Sequence, residues 1–85
     1  MNRKKRIESI LKKNLNDYKF SVIDNSSQHK GHNNFDGAQE THFCIVIRKP
    51  FGYNDNRVSI HRKIYKLLED DFQNGLHALE IKIAN

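Results

Sequence analysis

Gly75-Leu76-His77-Ala78-Leu79-Glu80-Ile81-Lys82-Ile83 reads as a turn feeding a β-strand. Asn74-Gly75 can take the positive φ that closes a helix. Beyond it, Leu79, Ile81 and Ile83 alternate with Glu80 and Lys82, the period of a half-buried strand. This predicts a final strand from about Ala78 to Ala84 with one apolar face turned inward, and by the same parity His77 begins on the inward side. Two roles are open to an imidazole at that position. It is either a structural histidine satisfied by a backbone carbonyl, the commoner fate of an isolated histidine, or a ligand held rigidly near a sheet edge.

Upstream of the turn, Ile60, Ile64, Leu67, Leu68 and Phe72 form a helical stripe from about Asn56 to Phe72. Lys49-Pro50-Phe51-Gly52-Tyr53-Asn54, with the only proline of the chain, breaks the backbone before it. From Thr41 to Arg48, Phe43, Ile45 and Ile47 share one strand face and His42, Cys44 and Val46 the other. Tyr18 to Asp24 is a further β-rich stretch, expected to pair antiparallel with it. Ile7, Ile10, Leu11 and Leu15 recur at helical spacing between about Lys4 and Asn16, with Lys4, Lys5, Lys12 and Lys13 mostly off the stripe. The Asn-, Ser-, Gly- and His-rich stretch from Asn25 to Gln39 has no apolar period and reads as a long exposed loop. Helix, strand, strand, helix, strand gives a small α+β domain with helices on one face of a three-stranded sheet.

A chain of 85 residues, 36% of them hydrophobic and none tryptophan, is one small domain over residues 1–85 with a modest core. A deep enclosed pocket does not fit that size. One cysteine, Cys44, excludes an internal disulfide and an all-thiolate metal site, which suits a reducing compartment, cytoplasmic or an organelle matrix. No apolar run approaches the roughly 20 residues that span a bilayer, and the N-terminus lacks a signal-peptide core, so no membrane partner is expected. The net charge of +5 permits anionic partners, nucleic acid included, although much of it is a lysine-rich helix face of the kind that usually only solvates.

Five histidines make imidazole ligation the chemistry to weigh. His29 and His32 lie three apart in Ser26-Ser27-Gln28-His29-Lys30-Gly31-His32, a spacing compatible with chelation and equally with a solvated polar loop. His42 and His61 fall inside regular elements and read as structural. Cys44 is one thiol in a strand, expected on the less buried sheet face and outside any ligand set. No Ser-His-Asp arrangement, phosphate-cradling glycine loop or catalytic carboxylate pair stands out, so an enzyme is not expected.

Taken together, the Ser26–His32 loop, Glu40-Thr41-His42-Phe43, the stretch from Arg57 to Tyr65 and the His77 strand entrance resemble the BolA family, from about Arg6 to Ala84. The resemblance implies a KH-like fold of class II, often with a short helical turn before the last strand, for which Asp71 to Gly75 has room. It also implies a non-catalytic adaptor that binds a monothiol glutaredoxin and shares a 2Fe-2S cluster with it, for cluster trafficking or iron signalling. His77 matches the family's ligand histidine, and His29 matches the loop ligand, which is histidine in one branch and cysteine in another; His32 is a lower-ranked loop alternative. Two imidazoles cannot complete four-coordinate ligation, so the glutaredoxin cysteine and bound glutathione would supply the rest, and no cofactor is expected in the isolated chain. Some relatives are linked to transcription, which makes a nucleic-acid-binding regulator the alternative, and a homodimer of the apo chain is also open. Ser59-Ile60-His61-Arg62 resembles the family's R-H-R-x-x-Y helix signature but lacks its first arginine, which weakens phosphate binding by this helix.

Overall fold

The structure, a computed structural model, describes residues 2–26 and 41–84. The elements are α1 (Arg3–Asn14), β1 (Lys19–Asp24), β2 (His42–Arg48), α2 (Arg57–Leu67), α3 (Glu69–Gln73) and β3 (Ala78–Ala84). Beyond Ser26, the loop expected from Asn25 to Gln39 lies outside the described residues, and so do His29 and His32.

Each long helix begins at an asparagine that caps it. The Asn2 side chain accepts from Lys5 N at 2.9 Å, and that of Asn56 accepts from Ser59 N at 2.8 Å, each satisfying one of the orphan donors of a first turn. The single helix expected from Asn56 to Phe72 is instead two. At Leu68 the backbone leaves helical geometry (φ −103°, ψ 17°), and the Leu68 carbonyl accepts from Asp71 N and Phe72 N to start α3. Leu68 itself is completely buried, so the bend keeps an apolar side chain in the core where a straight helix would carry the chain onward. The extra helical turn thus begins at Glu69, two residues before the stretch expected to hold it.

The sheet has the order β1-β2-β3. β1 and β2 are antiparallel, with Lys19 opposite Arg48 and Asp24 opposite Phe43. β2 and β3 are parallel, from His42 opposite Ala78 to Arg48 opposite Ala84, and α2 and α3 make the crossover that a parallel pair requires. Ile7, Leu11 and Leu15 of the first helical segment join Ile60, Ile64 and Leu68 over Val22, Phe43, Ile45 and Ile47 in one core. Leu79, Ile81 and Ile83 are half-buried against the same cluster, as their alternation requires.

Cys44 corrects one expectation. It lies on the face away from the helices, yet it is only 3% exposed. A small side chain in the central strand is covered by its ladder neighbours Ile23 and Glu80 on either side, whichever face it takes.

Candidate functional site

The start of β3 is fixed from both directions. Leu76 is buried, and its N–H donates to the Asp71 carbonyl at 2.9 Å. Gly75 takes the positive φ (111°) that the sequence suggested, and a Cβ there would come within 3.2 Å of Arg3 Nη2. On the far side, the Thr41 carbonyl accepts from both His77 N (2.8 Å) and Ala78 N (3.1 Å). Sharing one acceptor between consecutive residues breaks the strand alternation before Ala78, so the inward parity expected for His77 does not hold. Its side chain is exposed.

The exposed His77 ring lies close to that of His42, with centroids 6.0 Å apart and planes inclined by 13°. Sequence reasoning set His42 aside as structural, because nothing local shows that parallel pairing brings the beginnings of β2 and β3 together. Thr41 Oγ1 is 2.9 Å from His42 Nδ1, so the residue whose carbonyl holds the His77 backbone also engages the neighbouring imidazole.

Ser26 closes the arrangement. It is completely buried, and its Oγ accepts from Thr41 N at 2.9 Å and His42 N at 3.1 Å. Ser26 N donates to Asp24 Oδ1, and Asn25 N donates to the His42 carbonyl. Ser26 and Thr41, the described residues that flank segment 27–40, are therefore clasped together next to His77. A serine in a polar loop gives no sequence signal of this role. Beside the clasp, Asn25, His42, Phe43, Ala78, Leu79 and Glu80 line a shallow depression.

Among the described residues no three His, Cys, Asp or Glu side chains come together in a group that could hold a metal ion. A four-ligand centre at His77 would therefore need at least two ligands from outside the described residues, from segment 27–40 or from another molecule. Cys44 is not brought into the pair: burial, and secondarily the charge of Glu80, push its thiol pKa up, away from the thiolate that binds metals. His61 is half-buried in α2, its Nε2 shielded from solvent without a hydrogen-bond partner.

A second polar–aromatic cluster joins the turn between α1 and β1 to the segment that precedes α2. Tyr18 and Tyr53 meet edge to face with centroids 5.7 Å apart; Tyr18 Oη donates to Asp55, and Tyr53 Oη donates to Asp17 at 2.5 Å. Burial, then the Asp55 hydrogen bond, pushes the Tyr18 phenol up to about 12. Next to them Phe51 is fully exposed, near Lys19, Arg48 and Lys49.

The family model described as BolA-like protein matches residues 3–85. This chain belongs to the BolA family. Its fold agrees with that membership: the solved BolA domain of SufE1 from Arabidopsis thaliana has a TM-score of 0.79 and 38% identity, covering 98% of this chain and 91% of that one. The full SufE-like protein 1, chloroplastic/mitochondrial, of the same plant is 40% identical over 80 residues, but only 22% of its length is covered. UV-induced protein uvi31 of Schizosaccharomyces pombe is 38% identical over 84 residues, which are 95% of this chain and 82% of uvi31. A relative in Haemophilus influenzae, 32% identical over 78 residues (91% of this chain, 71% of the relative), is named DNA-binding transcriptional regulator BolA. No described helix of this BolA-family chain is long and apolar enough to cross a membrane.

Proposed function

We propose that this BolA-family protein is a non-catalytic adaptor that binds a monothiol glutaredoxin and co-ligates a 2Fe-2S cluster with it. His77 is one protein ligand and His29 the other, with His32 as the lower-ranked loop alternative. The glutaredoxin cysteine and its bound glutathione complete the set of four. The observation that carries this reading is the exposed His77 imidazole beside the Ser26–Thr41 clasp. A ligand shared between two proteins has to be exposed in each of them, and its backbone has to be held. His29 is three residues past Ser26, and three residues of extended chain span at most about 11 Å. Chain length therefore keeps His29 within that distance of the clasp beside which His77 starts β3.

Neutral imidazoles in place of two thiolates leave the cluster less negative and raise its potential, as in Rieske-type centres. Protons compete with the metal for imidazole nitrogen, so release is favoured by acid. Both properties suit transfer or sensing more than storage, in a reducing compartment.

The relative named as a DNA-binding regulator favours a second reading, a nucleic-acid-binding protein using the net positive charge. Anaerobic reconstitution of this chain with a monothiol glutaredoxin, followed by visible absorption and circular dichroism, separates the two. A red-brown heterocomplex supports the adaptor. Specific DNA or RNA affinity without glutaredoxin, and no cluster with it, would support the regulator.

A further inference from the structure

From the near-parallel rings of His42 and His77 we infer that His42 is a positioning residue: its imidazole, engaged by Thr41, sets the direction in which His77 presents its ring. The inference rests on the reading of His77 as a cluster ligand and adds to it a residue that does not itself bind the cluster.

An exposed histidine side chain at the end of a sheet has three staggered χ1 wells and a two-fold choice of ring orientation, which a bound metal would have to restrict. Here the backbone of His77 is already fixed by the Thr41 carbonyl. What remains is the ring, and its neighbour is His42 at 6.0 Å and 13°, within the separation at which offset aromatic planes attract. His42 can act as a fixed surface because it is itself secured. Its N–H donates to buried Ser26 Oγ, its carbonyl accepts from Asn25 N, and its Nδ1 is 2.9 Å from Thr41 Oγ1. The half-buried His42 side chain is thus part of the central strand, and the exposed His77 ring lies against it. Pre-setting a ligand ring in this way lowers the ordering that cluster binding demands, and it acts chiefly on retention of the cluster.

The test compares His42→Ala, which removes the ring, with His42→Phe, which keeps an aromatic plane but has no metal-binding nitrogen. In the free wild-type chain, NMR should show a His77 ring with one dominant χ1 rotamer and ring-current-shifted protons. His42→Ala should average both, and His42→Phe should retain both. In the reconstituted glutaredoxin heterocomplex, His42→Ala should keep the wild-type shape of the visible circular dichroism but lose cluster to a chelator about two- to tenfold faster. His42→Phe should lose it at nearly the wild-type rate. If His42→Phe abolished the cluster spectrum as His77→Ala is expected to do, His42 would be a ligand and the positioning role would be overturned. If the His77 ring were indifferent to His42→Ala while His77→Ala still removed the cluster, this inference alone would fall. A cluster that survived His77→Ala would overturn the ligand reading and this inference with it.

Discussion

Arg3 and Asp71, 68 residues apart in the chain, form an ion pair in which Nη1 lies 2.9 Å from Oδ1. The same guanidinium donates to the carbonyls of Asp71 and Asn74, so the first turn of α1 holds the end of α3 and the turn that leads to His77. Arg6 Nε reaches the same carboxylate at 3.1 Å.

The two arginines are not equivalent. Asp71 is 3% exposed and Arg3 15%, whereas Arg6 is 49% exposed and screened by water. Arg3→Ala is expected to cost about 1–3 kcal/mol, because it strips charge-assisted hydrogen bonds from a buried acceptor. Arg6→Ala should cost less than about 1 kcal/mol. Urea titrations followed by far-ultraviolet circular dichroism measure both, and equal losses would show that burial does not rank the pair.

Ile64→Ala or Leu68→Ala should each cost about 2–5 kcal/mol through a core cavity. Both side chains are completely buried in the single cluster, and a domain this small has little stability in reserve. Thermal melting like that of the wild type would contradict the placing of Ile64 and Leu68 in the core.

The periodic parts of this fold were legible in the sequence. β3 runs from Ala78 to Ala84 as its alternation predicts, and the α1, β1 and β2 boundaries shift by only one or two residues. The break at Leu68 was not legible, because neither glycine nor proline marks it and its cause is tertiary burial. His77 was singled out, but its orientation was not, since the parity rule fails where Thr41 O accepts two successive N–H groups. The approach of His42 to His77, and the role of Ser26, were not legible for a related reason. One depends on the pairing of strands distant in sequence, and the other is an ordinary loop residue until the fold closes around it.

The tyrosine cluster predicts an alkaline limit. Tyr18 is raised from 10.0 to about 12, so between those values the folded chain keeps a proton that the unfolded chain has lost. Its contribution to stability is complete below the unfolded value and falls away as pH rises toward 12. Tyr53, raised chiefly by its hydrogen bond to Asp17, adds a contribution of the same sign. Melting temperatures measured on either side of pH 10.0 should decline with pH, and Tyr18→Phe should flatten the decline. An unchanged slope in that variant would contradict the assignment.

Cys44 should react slowly with thiol reagents in the native chain, because it is buried and its pKa is raised. Cys44→Ser should cost about 1–3 kcal/mol, since it places a hydroxyl in a covered site, and should leave the cluster spectrum of the glutaredoxin heterocomplex essentially intact. Loss of the visible bands in a variant that still folds would put the thiol among the ligands.

The proposed ligand pair makes the loop variants informative. His29→Ala should lose only part of the cluster signal if His32 can substitute, and the His29→Ala, His32→Ala double variant should lose it fully. Visible circular dichroism of the reconstituted heterocomplexes measures both, and a double variant that kept the wild-type spectrum would remove both loop histidines from the ligand set.

The central claim is most directly tested by visible circular dichroism of the heterocomplex formed by His77→Ala with a monothiol glutaredoxin after anaerobic reconstitution. The account predicts that the apo proteins still associate, because protein contacts provide the basal affinity, and that the cluster bands disappear. Unaltered bands in that variant would contradict it and return His77 to a structural histidine at a strand entrance.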